Sequence, residues 1–247
     1  MPRSNPKPAP TDMAAFMPTE PRPGTSSSLP LALLRLVSPS LPVGAFAWSE
    51  GLESAVEVGW ICSPADTLDW VRGRLNGPLV QLDLPITRRF LRAHASGQVD
   101  EALRWSARLL ASRETRELRD QERQLGRSLA RLLAETGIPE ASAWTDHRYA
   151  TWSGLFALAG ARLGIAETAL LEGYAFAWCE SQVAAAVKLV PLGQTVGQQC
   201  LVTLLEDIPD AVQRAVRRTD EEIGASEPGL AIASALHEVQ YSRLFRS

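Results

Sequence analysis

Helical segments interrupted by proline, glycine and serine follow one another along most of the chain. Ala and Leu are abundant, β-branched residues are sparse, and no alternating strand pattern of useful length appears. The clearest helix start is Ser63-Pro64-Ala65-Asp66, because serine can cap a helix, proline suits its first position and Asp66 can return a hydrogen bond. The pattern predicts an all-α domain over residues 29–240 with about ten helices, near 31–37, 49–58, 64–76, 78–96, 99–111, 113–134, 145–163, 166–190, 194–222 and 228–238. Gly77-Pro78 should separate the third helix from the fourth, and Pro209 should kink or break the ninth.

Residues 1–28 differ in composition from the rest, since they contain many prolines and end in three serines. We expect a disordered arm there. The first 30 residues lack a continuous apolar core, so we expect no secretory signal, and the best membrane candidate, 152–179, is interrupted by charges. The cysteines (Cys62, Cys179 and Cys200) are odd in number and far apart, which favours a reducing compartment, and we expect a cytoplasmic protein without membrane contact.

The charge pattern argues against nucleic-acid binding. The formal net charge is −3, and the arginine-rich helix at 113–134 contains no aromatic residue that could stack on bases. Its arginines are interleaved with acids, so that Arg113–Glu117 and Arg116–Asp120 can pair across the surface. We therefore interpret its charged side as a solvated helix face. The same helix carries an apolar stripe, formed by Leu118, Leu125, Leu129, Leu132 and Leu133.

Catalytic and metal-binding patterns are missing from the sequence. His94, His147 and His237 are isolated, and we expect surface histidines and core cysteines with no metal site of the chain's own. No nucleophile, P-loop or dinucleotide motif occurs. Glu50 and Glu53 are paired carboxylates on a predicted helix, but the helix dipole explains Glu50 more simply. We expect a non-catalytic protein bound to no cofactor, with a small all-α enzyme with an unrecognised site as the alternative.

Three separate segments carry the most specific information. The first is 38–53, S-P-S-L-P-V-G-A-F-A-W-S-E-G-L-E, which predicts a stiff extended loop that packs through Leu41, Val43 and Phe46 and then starts a helix. The second is the K-L-V-P-L-G-Q string at 188–194, where a lysine in the last helical turn has small residues behind it on its helix face. The alternative for this lysine is that it only offsets the helix dipole or extends its charged end into solvent. The third is the tail Y-S-R-L-F-R-S at 241–247, whose aromatic residues and arginines are typical of binding hot spots. The alternative for the tail is that it folds back on its own body.

All three segments resemble the urease accessory proteins of the UreF type. The first follows the family pattern S-x-x-L-P-x-G-x-F-x-x-S-x-G-L-E, and the tail follows Y-x-R-L-F-x-S. The resemblance implies an all-α homodimer that binds a scaffold accessory protein of the UreD or UreH type and a nickel-carrying GTPase of the UreG type. The assembly would deliver nickel to apo-urease, with nickel passing through the complex and this chain acting as chaperone and GTPase regulator.

The resemblance also assigns residues to two partner surfaces. The GTPase face would comprise Lys188, Gln194, Pro42, Gly44 and Trp48, although relatives often carry tyrosine or histidine in place of Trp48. Scaffold docking would use Tyr241, Arg243, Leu244, Phe245, Arg246 and Ser247, in a tail that is mobile when free and becomes ordered on binding.

Overall fold

The computed structural model of the chain describes residues 31–247, which form ten α-helices and no strand. The helices are α1 (Leu31–Leu36), α2 (Leu52–Glu57), α3 (Pro64–Arg74), α4 (Leu84–Ala95), α5 (Val99–Ser112), α6 (Arg116–Glu135), α7 (Trp152–Arg162), α8 (Glu167–Leu189), α9 (Gln194–Arg217) and α10 (Pro228–Val239). The all-α prediction is therefore confirmed for this part of the chain. The arm predicted at residues 1–28 lies outside the described residues.

Side-chain caps set several of the helix starts. Ser63 caps α3 as predicted, because its hydroxyl accepts from the backbone N–H of Asp66 at 3.2 Å and donates to the Asp66 carboxylate at 2.8 Å. Thr115 and Thr151 cap α6 and α7, because their hydroxyl oxygens accept from the backbone N–H groups of Leu118 and Gly154. Each cap satisfies one of the backbone donors that the first turn of a helix leaves free.

The break predicted at Gly77-Pro78 is wrong, and Pro209 does not break its helix. A π-helical segment, Leu75–Asp83, contains Pro78 and joins α3 to α4 without an interruption. The wider i→i+5 bonding of a π-helix changes which carbonyls need a donor, so a residue without an N–H can be placed there. Pro209 lies inside α9, which continues to Arg217, although not to the predicted residue 222.

The main core is formed where α4, α6 and α7 pack together and α8 packs on α9. The predicted apolar stripe of α6 faces this core, since Leu125, Leu129 and Leu133 are buried. Gly126 lets α6 approach the start of α7 closely, because a Cβ there would lie 2.6 Å from the backbone carbon of Thr151. The core is thus fixed by backbone contact as well as by side-chain burial.

A second apolar cluster lies where α2, the end of α8 and α10 meet. Leu52, Ala186 and Ala233 are fully buried in it, and Phe245 from the C-terminal tail packs with them. This cluster brings the tail next to the loop that precedes α2. In the described part of the chain, no helix is long and apolar enough to cross a membrane.

Candidate functional site

The loop between α1 and α2 packs through only some of its apolar residues. Gly44 adopts a left-handed φ of 80° and starts a short 3-10 turn, Ala45–Ala47. Val43 and Trp48 on either side of the turn are buried, whereas Phe46 is 72% exposed. The prediction that Phe46 packs down is therefore wrong, and its ring stands on the surface.

Glu50 lies before α2 rather than in its first turn. Glu50 has φ 54° and Gly51 has φ 77°, so two consecutive left-handed residues turn the chain before the helix starts at Leu52. A non-glycine residue in this region is uncommon. The dipole explanation for Glu50 is therefore wrong, and the carboxylate points inward instead.

The Glu50 carboxylate is held by three donors inside the protein. It accepts from Arg74 at 2.6 Å, Gln121 at 2.7 Å and the Trp178 indole at 3.1 Å. Burial would raise the pKa of Glu50, but Arg74, together with Trp178 and Arg113, outweighs burial and lowers it below its usual value. Glu50 is thus a half-buried, ionised partner of Arg74.

A second buried ion cluster adjoins the first along a cavity of about 210 Å³. Arg113 bonds Glu122 at 2.6 Å and also pairs with Asp83. Burial raises the pKa of Glu122, with Arg113 opposing it, while the two carboxylates outweigh desolvation and hold the pKa of Arg113 well above its usual value. Arg113 therefore pairs inside the protein and not with Glu117, whereas the predicted Arg116–Asp120 pair does form at 3.5 Å.

Lys188 is exposed in the last turn of α8 and lines the same cavity. Its ammonium nitrogen lies 5.5 Å from the centre of the Phe245 ring, which is cation–π distance. The small residue Ala184 next to it is exposed, so another surface can approach closely. Lys188 therefore has the accessibility that a partner contact requires.

The C-terminal tail folds back on its own subunit. The Arg246 N–H donates to the Ala47 carbonyl and the Ser49 N–H donates to the Ser247 carbonyl, both at 2.8 Å. Phe245 and Ser247 are buried. The expectation of a free tail is wrong for this chain, and the alternative of folding back on its own body is what the structure contains.

One carboxylate receives two consecutive tail N–H groups. Glu53 accepts from Leu244 at 2.6 Å and from Phe245 at 2.8 Å. His237 binds the same carboxylate through Nε2 at 3.2 Å and binds Glu117 through Nδ1 at 2.8 Å. The sequence did not predict these roles for Glu53 and His237. Its only signal was that Glu53 is the last residue of the 38–53 motif.

Two of the three histidines are not at the surface. His237 is fully buried and His94 is 7% exposed, so the surface-histidine prediction is wrong for both. Cys179 and Cys200 are buried as expected, while Cys62 is exposed. Among residues 31–247 no three His, Cys, Asp or Glu side chains could hold a metal ion. His237 does have two carboxylates beside it, but they lie at opposite ring nitrogens, Glu53 at Nε2 and Glu117 at Nδ1, and so do not surround one point.

The tail leaves part of its own apolar surface exposed. Tyr241 and Leu244 are exposed, and α10 before them carries an exposed apolar stripe formed by Ile232, Leu236 and Val239. Residues at spacings of three and four lie on the same side of a helix. The end of the chain thus has a buried side, which holds it in place, and an exposed apolar side.

The fold brings the two predicted partner surfaces together. Phe245 lies against Lys188, and the Arg246 guanidinium lies 6.0 Å from the centre of the Trp48 ring. Pro42, in the loop before Trp48, and Gln194, six residues after Lys188, are both exposed. Within residues 31–247, no hydrogen bond or ion pair joins either residue to the tail. The loop, the end of α8 and the tail therefore form one continuous surface.

In the described part of the chain, the proline loop, Lys188 and the tail thus share one surface of a helical protein. The family profile described as UreF matches residues 61–205. Urease accessory protein UreF of Alkalilimnicola ehrlichii is 47% identical over 234 residues, covering 94% of this chain and 100% of the relative. Urease accessory protein UreF of Teredinibacter turnerae is 48% identical over 224 residues, covering 88% of this chain and 98% of the relative. The chain belongs to the UreF family of urease accessory proteins.

Proposed function

We propose that this chain is a nickel-insertion accessory protein that links a scaffold accessory protein of the UreD or UreH type to a nickel-carrying GTPase of the UreG type. In this role it regulates the GTP-dependent maturation of apo-urease. The observation that carries the proposal is the continuous surface formed by the proline loop, Lys188 and the tail. Relatives of this chain are named urease accessory proteins, which supports the same role.

The GTPase would bind the face around Lys188. An exposed ammonium group beside exposed Ala184 offers a charge that a partner carboxylate can reach without steric hindrance. We assign Pro42, Gly44 and Gln194 to the margin of this face, because Pro42 and Gln194 are exposed and Gly44 is half-buried. Trp48 is buried, so we propose that it supports the face from below and does not contact the GTPase directly.

Scaffold docking would use the exposed side of α10 and the tail. The apolar residues Ile232, Leu236, Val239, Tyr241 and Leu244 provide area whose burial is favourable. Arg246 is exposed next to them and can bind carboxylates or carbonyls, whereas exposed Arg243 already bonds Glu117 within the chain and would support the position of the tail. Phe245 and Ser247 would instead anchor the tail to its own subunit, which keeps the exposed side in position.

The remaining features of the proposal follow from the resemblance. The chain would act as a homodimer, without chemistry or a bound cofactor of its own, and nickel would pass through the assembled complex as cargo. The widely spaced cysteines favour the cytoplasm as its compartment. The paired buried ions support a structural role for the carboxylates that line the cavity.

Co-purification with the scaffold protein tests the docking surface. Leu244→Ser should weaken scaffold capture by about tenfold or more, because it removes an exposed apolar side chain at the proposed centre. Deletion of residues 241–247 should abolish capture while circular dichroism stays helical. The matched control is Val99→Ser on α5, which is 56% exposed and lies outside the proposed surface.

The outcomes separate the proposal from its alternatives. Normal capture by the Leu244→Ser and truncated chains would exclude the tail as the docking element. Loss of capture in the Val99→Ser control as well would show that any exposed apolar residue matters, which would contradict a specific surface. Catalytic turnover by the isolated chain would favour the alternative of a small all-α enzyme.

A further inference from the structure

The contacts that hold the tail converge on one titratable group. Glu53 is the carboxylate that binds the Leu244 and Phe245 N–H groups, and its side chain is only 8% exposed. Among the described residues, His237 is the cation-forming side chain within ion-pair distance of Glu53. We call Glu53, His237, Glu117 and Arg243 the tail clamp.

Hydrogen-bond counting shows what the clamp requires of His237. Both ring nitrogens face carboxylate oxygens, Nε2 towards Glu53 and Nδ1 towards Glu117. A neutral imidazole carries one N–H, whereas an imidazolium carries two. Only the protonated ring can donate to both carboxylates, so the neutral ring turns a lone pair towards one of them.

Charge balance points to the same protonation state. The carboxylates come from α2 (Glu53) and α6 (Glu117), and the tail contributes Arg243, which binds Glu117 at 3.0 Å. On α10 itself, Glu238 is turned to the backbone N–H groups at the start of α6. The clamp is therefore neutral when His237 is protonated and carries one excess buried negative charge when it is not.

We propose that the tail clamp is proton-dependent. Protonated His237 holds Glu53 in the position from which it binds the tail, and residues 243–247 detach from the body as His237 loses its proton. Docking and protonation favour one another, so the tail is held at low pH and released as pH rises. Any consequence for scaffold binding rests on the proposed function, whereas the release itself does not.

Fluorine NMR of the full chain, with 4-fluorophenylalanine in place of Phe245, measures release directly. The ring is buried and close to Lys188 when the tail is docked, so the docked and released states should give separate signals. Between pH 5.5 and pH 8.5, we expect the ratio of released to docked signal to rise about tenfold or more. That factor corresponds to the loss of one charge-assisted hydrogen bond.

Variants identify the group that responds. His237→Gln should give the released signal at both pH values, because the side chain cannot become charged. Glu117→Gln removes the other carboxylate on the ring and should reduce the response, which provides a second readout if the first variant folds poorly. His94→Gln is the matched control, since it removes another buried histidine from α4 and should leave the response unchanged.

The same spectra can overturn the proposal. An equal released fraction at both pH values in the unmodified clamp would exclude proton control of the tail. So would a full pH response in His237→Gln, or a response abolished by His94→Gln. Because the isolated chain is used, a negative result would leave the proposed scaffold and GTPase contacts intact, and failed scaffold capture would leave the clamp intact.

Discussion

Two buried histidines lie in opposite surroundings in this protein. His94 on α4 packs between the rings of Phe90 and Trp144, whose centres are 6.3 Å and 6.1 Å away. Burial lowers the pKa of His94 to about 4, with nearby Arg162 adding to the effect. His237 on α10 is equally hidden but stands between the carboxylates of Glu53 and Glu117.

The difference separates an interior whose buried carboxylates pair with arginine from a tail region whose carboxylates share a histidine. In the interior, the cations at buried carboxylates are arginines, which stay charged, and the buried histidine is neutral. In the tail clamp, the side chain between the carboxylates is a histidine, which is a cation only in its protonated form. Burial alone therefore does not decide what a histidine does, because its immediate partners do.

The interior cluster should be the most sensitive to loss of its cation. Arg113→Met leaves Asp83 and Glu122 buried without their shared partner, and should reduce the free energy of unfolding by about 3–5 kcal/mol. Urea denaturation followed by circular dichroism measures the loss. Arg104→Met, which breaks an exposed pair with Glu101, should cost less than about 1 kcal/mol. Equal losses in the two variants would contradict a special role for the interior cluster.

Matched phenylalanine substitutions sharpen the comparison. Phe156→Ala empties a fully buried site between Trp152 and Tyr174, and should lower the free energy of unfolding by about 3–5 kcal/mol. Phe245→Ala should cost only about 1 kcal/mol, because the tail can detach while the helices stay folded. Urea unfolding of both variants tests this. A loss as large for Phe245→Ala as for Phe156→Ala would mean that the tail is part of the cooperative core.

Helix positions were largely predictable because they depend on local signals. The Ser63 cap and the α6 stripe through Leu125 and Leu129 follow from residues only a few positions apart. The π-helical segment around Pro78 was not predictable, since the breaker rule for proline assumes ordinary helical bonding.

The sequence predicted which segments belong to the candidate site but not how they are arranged. Lys188, Trp48 and the tail were recognised as separate motifs, yet contacts such as Ser49 with Ser247 join the two ends of the described chain and leave no periodic pattern in sequence. The turn at Glu50 and the burial of His237 likewise depend on long-range partners. Such contacts become visible only once the helices are packed.

Acid should destabilise the interior through His94. Its folded pKa of about 4 lies below the ordinary value of 6.5, so the unfolded chain takes up the proton first as pH falls. The free energy of unfolding should fall by up to about 3 kcal/mol between pH 6.5 and pH 4 from this group, level off below pH 4, and not change above pH 6.5. Unfolding of the His94→Gln variant over the same range should lack this component. An identical slope in the variant would place the effect elsewhere.

The most direct test of the account is GTPase capture by the scaffold-bound chain after Lys188→Ala. Lys188 is exposed and its contact with Phe245 is a cation–π interaction, so its loss should cost less than about 1 kcal/mol of stability. We predict that the variant still captures the scaffold but loses the GTPase and fails to activate urease, and that Lys188→Arg keeps part of both activities because the charge remains. Normal GTPase capture and urease activation by Lys188→Ala would contradict the assignment of this surface.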